Sequence, residues 1–216
     1  MARFCPPPQE GNGRLCRKMA LPMLEAQGIA VAQGRRILIQ GLDLTIPRGE
    51  CVGLSGPSGA GKTTVGRALA CLHPLAGGRL TLDGQPPGKG LWPVQYLHQD
   101  PLVAMNPRWT LDRILREAGP PRDDLRTALG ADLPAERFPH ELSGGQLQRL
   151  SILRGLMARP RVLIADEITA ALDPVSQALM WRVLLDVCRA TGMGLLAISH
   201  DDALLARISG RSMAIA

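Results

Sequence analysis

Nine consecutive residues, Gly56-Pro57-Ser58-Gly59-Ala60-Gly61-Lys62-Thr63-Thr64, have the types and spacing to hold a phosphate group. The pattern GxxxxGK[ST] needs a strand, a tight turn and a helix start, so that successive backbone N–H groups face one anion with no side chains in the way. Gly56, Gly59 and Gly61 permit that approach. Lys62 is expected to reach β- and γ-phosphates as a point charge, and Thr63 to offer its hydroxyl to Mg²⁺. The dipole of the following helix favours the anion.

A second group of chemically able residues lies a hundred positions on. The apolar run Val162-Leu163-Ile164-Ala165 ends in two adjacent carboxylates, Asp166 and Glu167. A buried parallel strand should not finish in two charges unless they face a site at the carboxyl edge of the sheet, where a phosphate loop also lies. Asp166 is then placed to hold Mg²⁺ through its water shell, and Glu167 to polarise an attacking water.

The elements that must position these groups follow from hydrophobic periodicity. Two strands are expected over Leu24–Val31 and Ile37–Ile46, the second interrupted by Gly41 and Asp43. A third, Glu50–Ser55, feeds the phosphate loop, and Val65–Leu72 follows as a helix. Arg79–Leu82 and Pro93–Leu97 read as short strands. Helical turns are expected over Thr110–Ala118, with Leu111, Ile114 and Leu115 on one face, and over Asp123–Leu129. Ser143 caps a long helix through Met157, a local device worth about 1 kcal/mol. Arg161–Ala165 and Leu195–Ser199 are buried-type strands flanking a helix over Pro174–Ala190. Helices alternating with continuous apolar strands predict an α/β fold: a mainly parallel sheet covered on both faces, with an N-terminal antiparallel β region.

A chain of 216 residues suits one well-buried domain. Residues 1–22, rich in Pro, Gly and charge, read as a disordered leader. Residues 23–216 read as a single domain, with an inserted helical subdomain over about 100–158. No run approaches the roughly 20 apolar residues of a membrane helix. The net charge of +6 is scattered arginine rather than one basic tract. Five cysteines without CxxC spacing look like reduced thiols, with Cys51 and Cys71 expected in the core.

Leu142-Ser143-Gly144-Gly145-Gln146 resembles the signature motif of ATP-binding cassette (ABC) ATPases, and it precedes the Asp166-Glu167 strand as in that family. The resemblance covers about residues 24–213. It implies a P-loop NTPase-like fold, ATP and Mg²⁺ as cofactors, and ATPase activity. Gln99 matches the loop glutamine that senses Mg²⁺ and the membrane partner. Ala171-Leu172-Asp173 matches the segment crossing the dimer interface, and His200 the switch histidine that contacts the γ-phosphate. The resemblance makes Glu167, His200, Lys62 and Gln99 the catalytic set, and Thr63, Gln99 and Asp166 the metal set. It gives nucleotide contacts to residues 56–64 and, across a dimer, to Ser143, Gly144, Gly145, Gln146 and Asp173.

His98-Gln99-Asp100-Pro101 with Met105-Asn106-Pro107-Arg108 is similar to the QDP…NPR stretch of importers for dipeptides, oligopeptides and nickel or nickel chelates. Phe138-Pro139-His140-Glu141 is similar to their approach to the signature. The implied role is the ATP-hydrolysing subunit of an ABC importer for peptides, nickel or metal chelates. It would sit peripherally on the cytoplasmic face of the inner membrane. Its implied partners are a second cassette, two permease subunits and a substrate-binding protein, with no nucleic acid. A soluble cassette ATPase acting on nucleic acid or ribosomes is the alternative; such chains carry two cassettes or a long coiled-coil insertion, and this one has neither.

Two departures stand out. Where the family stacks adenine on an aromatic residue, this chain holds Gln33, so weaker ATP affinity or looser base selectivity is expected unless Arg35 or Arg36 covers the ring. The chain also ends soon after His200, so the family's usual last strands and C-terminal extension are expected to be missing.

Overall fold

The computed structural model describes residues 22–88, 90, 92–170 and 172–215. Nearly all of the leader expected over 1–22 lies outside them. Pro22, its last residue, instead opens a strand.

In chain order the elements are β1 (Pro22–Gln33), β2 (Arg36–Pro47), β3 (Cys51–Ser55), α1 (Lys62–Leu69), β4 (Gly77–Leu82) and β5 (Val94–Leu97). There follow α2 (Leu111–Ala118), α3 (Asp123–Ala128), α4 (Gly144–Met157), β6 (Val162–Asp166), α5 (Pro174–Thr191), β7 (Gly194–Ile198), α6 (Asp202–Ile208) and β8 (Arg211–Ala214). Strands β2, β1 and β4 form an antiparallel sheet in that order, and β5-β6-β7-β3-β8 form a second sheet in which every pairing is parallel. Every residue of β3, β6 and β7 is buried. That is what near-continuous apolar runs demand when both faces of a parallel sheet are covered.

The two faces carry different neighbours. Val162 and Ile164 of β6, Leu196 and Ile198 of β7 and Val94 and Tyr96 of β5 enter a core shared with α1 and the antiparallel sheet. Their alternates Leu163, Ala165, Leu195, Ala197 and Leu97 enter a core shared with α2, α4 and α5. The strand period of two therefore decides which side each functional side chain can reach. In α2, Leu111, Ile114 and Leu115 are buried on one face, as expected from their spacing.

Three expectations are corrected. The helix after the phosphate loop begins earlier, at Lys62, because the loop's own Lys and Thr form its first turn, and it ends at Leu69. Cys71 then turns the chain at φ 58° and is exposed rather than core. Strands after His200 are expected to be missing, yet β8 is present and lies parallel to β3, with Leu54 opposite Met213. Its residues are mostly exposed, as an edge strand allows. Among the described residues, no helix is long and apolar enough to cross a membrane.

Candidate nucleotide site

The parallel strands deliver the site from one edge of their sheet. Register places Leu54 and Asp166 both opposite Ile198, so β3, β6 and β7 end level with one another. Beyond their ends lie the phosphate loop, Glu167 and His200. β5 ends beside β6, with Leu97 opposite Ala165, and carries Gln99 to the same edge.

A cleft of about 350 Å³ opens there. Its floor is Ser58, Gly59, Gly61, Lys62, Thr63 and Thr64, one wall is Gln99 and Glu167, and Gln33 and Leu38 form another. Gly61 caps α1 at φ 97°, a conformation that costs a residue with a Cβ. The Lys62 side chain is buried, and its ammonium donates to the carbonyls of Gly56 at 2.7 Å and Pro57 at 3.0 Å. Two of its three donors are thus satisfied within the loop, which fixes the charge at the floor of the cleft. Gln33 is at the end of β1, opposite Arg36 across the hairpin. Neither Arg35 nor Arg36 lines the cleft; the apolar surface beside Gln33 comes from Leu38.

The two adjacent carboxylates part company at the strand end. Asp166 continues the alternation of Val162 and Ile164 toward α1 and is buried. Its Oδ2 accepts the Thr63 hydroxyl at 2.9 Å and the Tyr96 hydroxyl at 2.5 Å, while its Oδ1 is buried without a partner. Glu167 adopts φ 49°, a left-handed conformation unusual for a residue with a side chain, and its N–H donates to the Ile198 carbonyl at 3.0 Å. That twist swings its carboxylate into the cleft, where Oε2 accepts Gln99 Nε2 at 3.2 Å and Oε1 lies 3.0 Å from His200 Nδ1. Backbone outliers of this kind cluster at functional sites, where surrounding contacts hold the strain.

The remaining expected residues are elsewhere. Ser143 caps α4 in a reciprocal box: its hydroxyl accepts the Gln146 N–H at 3.3 Å and its own N–H donates to Gln146 Oε1 at 3.0 Å. Asp173 caps α5, accepting from Val175 and Ser176, and those hydrogen bonds hold its carboxyl below the usual range. Ala171 lies outside the described residues. Ser143, Gly144, Gly145, Gln146 and Asp173 do not line the cleft of their own chain. α4 and the start of α5 are joined by a hydrogen bond that Arg149 donates to the Ser176 hydroxyl at 3.2 Å.

Tyr96 and Leu38 are contributors that sequence reasoning missed. Leu38 belongs to a strand that reads simply as apolar. Tyr96 could be found only through the parallel register that sets β5 beside β6. A second cavity of about 390 Å³ lies at the opposite edge of the sheet, lined in part by Arg48, Arg122, Arg159 and Arg161. Asp83 pairs with Arg48 and Arg161, and Asp124 with Arg122, so two carboxylates offset half of that positive charge.

Residues 39–170 match the ABC transporter family. The chain is 37% identical over 204 residues to a Brucella abortus protein named "Putative peptide import ATP-binding protein", covering 83% of this chain and 61% of that one. It therefore spans about three-fifths of the length of that curated relative. Among solved structures it resembles the ATP-binding subunit of an ABC transporter, with a TM-score of 0.80, 22% identity and coverage of 89% of this chain and 85% of that one. It also resembles a dimeric bacterial ABC transporter cassette, with a TM-score of 0.74, 24% identity and coverage of 89% and 94%. The two structures share its fold. With the family match spanning more than half of its length, the chain belongs to the ABC transporter family.

Proposed function

We propose that this chain is the ATP-hydrolysing subunit of an ABC importer, with peptides as the leading substrate class and nickel or metal chelates as the alternatives. The observation that carries the hydrolytic reading is the placement of Glu167 between Gln99 and His200 at the mouth of the phosphate loop. The peptide-import name of the relative supports the direction of transport and the substrate class.

The residues present fit Mg²⁺. It is a hard cation that takes oxygen ligands, keeps several waters, and is bound by one or two protein groups together with phosphates. The buried, unpartnered Oδ1 of Asp166 and the Thr63 hydroxyl beside it supply such a donor set, with Gln99 at the cleft wall. When bound, the ion neutralises charge on the β- and γ-phosphates.

Hydrolysis then falls to the chain's own groups. Lys62 holds a positive charge against the phosphates, and the backbone N–H groups of residues 58–64 cradle them. Glu167, oriented from both sides, accepts the proton of the attacking water; general-base catalysis contributes about 10²–10⁴-fold. The Ser143–Gln146 surface lies away from its own loop, which supports a second cassette completing the site across a dimer, with Asp173 at that interface. Leu102 and Val103, 42% and 67% exposed, follow Gln99 and Asp100 in a short 3-10 turn. They offer an apolar foothold for a permease subunit. A pair of permeases, a substrate-binding protein and a peripheral position on the cytoplasmic face of the membrane complete the assembly. Residues about 100–158, which contain α2, α3 and α4, act as the inserted helical subdomain.

The test is to co-express the chain with the permease genes adjacent to its own and to assay membrane association and ATP hydrolysis, with Lys62→Ala as the control. Membrane recruitment with Lys62-dependent hydrolysis is expected. Co-sedimentation with ribosomes or DNA instead would sink the importer reading.

A further inference from the structure

Tyr96 is the only tyrosine in the chain, and it is 8% exposed on a four-residue strand. Strand alternation sends its ring toward α1 rather than toward α4. A phenol in such a core needs a partner for its O–H, or the desolvated hydroxyl destabilises the fold. The partner is Oδ2 of Asp166, 2.5 Å away, the same oxygen that accepts the Thr63 hydroxyl at 2.9 Å. Gly66 on α1 makes room for the ring: a Cβ there would stand 3.0 Å from Tyr96 Cε2 and 2.7 Å from Ile198 Cδ1.

The distribution of these bonds over the carboxylate is informative. Both donors converge on Oδ2, and Oδ1 stays buried with no partner. Thr63 alone would anchor the carboxylate weakly, because its hydroxyl is itself a proposed metal ligand on the first turn of α1. Tyr96 anchors the same oxygen from a different element, a strand in register with β6, and its ring does not line the nucleotide cleft. It can reach the chemistry only through Asp166. We propose that Tyr96 is a positioning residue for the divalent-cation site, its hydroxyl clamping Oδ2 of Asp166 so that Oδ1 is presented to the water shell of the metal. The inference rests on the nucleotide and Mg²⁺ reading above.

Outer partners that orient a metal-binding carboxylate typically change metal affinity about 10–100-fold. The experiment uses the full chain saturated with a non-hydrolysable ATP analogue and titrated with Mn²⁺, free Mn²⁺ being read by electron paramagnetic resonance. Nucleotide affinity is measured separately in EDTA. Tyr96→Phe should weaken Mn²⁺ binding about tenfold, with metal-free nucleotide affinity unchanged. A merely structural hydroxyl would move thermal stability and leave Mn²⁺ affinity alone. Because the chain has a single tyrosine, fluorotyrosine incorporation gives a second readout that needs no variant. Its ¹⁹F resonance should shift when Mg²⁺ joins the nucleotide-bound protein, and should not shift with nucleotide alone in EDTA. Wild-type Mn²⁺ affinity in Tyr96→Phe, or a ¹⁹F signal indifferent to Mg²⁺, would overturn the role of Tyr96 while leaving the metal reading intact. Failure of the wild-type chain to bind Mn²⁺ with nucleotide would overturn both.

Discussion

Oε1 of Glu167 lies 3.0 Å from Nδ1 of His200, a contact across two strand ends separated by 33 residues of chain. Gln99 holds the other oxygen of the same carboxylate. A carboxylate held from both sides is pre-oriented toward the cleft, which is what the proposed role of base toward a positioned water requires. Glu167→Gln is therefore expected to bind ATP with little change while turnover falls at least about 100-fold. The check pairs a nucleotide-binding titration with steady-state phosphate release. Persistent hydrolysis would remove Glu167 from the role of base.

Gln33 and Leu38 form the outer wall of the cleft, with no aromatic ring among its lining residues. Stacking a base on an aromatic side chain contributes about 1–3 kcal/mol. Gln33→Tyr should then tighten ATP binding by about fivefold or more. Equilibrium binding of ATP and of GTP to both chains decides the matter, and no tightening would leave Leu38 as sufficient support.

Leu102 and Val103 stand out from the surface directly after the glutamine loop. Replacing both with Asp should leave the fold and the nucleotide affinity of the isolated chain unchanged, because neither residue belongs to the core or the cleft. Membrane association on co-expression with permease subunits should fall about tenfold, as expected when an apolar contact worth about 1.4 kcal/mol is lost. Fractionation followed by immunoblotting gives the answer. Undiminished recruitment would move the docking surface elsewhere.

Burial pushes the Cys51 thiol up to about 12, helped by neighbouring Cys188, and pushes Cys188 up to about 11. A raised thiol pKa leaves less thiolate at a given pH, and only the thiolate is the nucleophile; at pH 8 a group with the Cys51 value is about one part in ten thousand ionised. Cys71 is also shifted up by burial, yet it is exposed at its turn. Iodoacetamide at pH 8 should label Cys71 well before Cys51 or Cys188, as followed by peptide mapping. Raising the pH should increase the labelling of all three. Early labelling of Cys51 would mean that its core opens more readily than its packing implies.

Much of this molecule was legible in the residues alone, because the relevant signals are local. The glycine-rich turn before α1 rests on its own Gly56, Gly59 and Gly61, the Ser143 cap on a residue three places on, and the buried strands β3, β6 and β7 on continuous apolar runs. Elements stabilised by distant partners were not legible. β8 exists because its backbone adds to the edge of β3, more than 150 positions earlier in the chain. Cys71 sits among apolar neighbours in sequence, but a left-handed turn faces it outward.

The order and identity of the chemical groups were set by sequence; their direction was not. Asp166 and Glu167 are adjacent, and residue type separates a metal-side carboxylate from a water-side one without saying where either points. Strand alternation turns Asp166 in toward α1, and a positive φ turns Glu167 out toward Gln99 and His200. The parallel register of β5 on β6 brings Tyr96 to Asp166 across 70 residues of chain. Spacing along a chain determines which groups can share a strand end, but only the sheet, by fixing which strands are neighbours and which face each residue takes, decides what those groups touch.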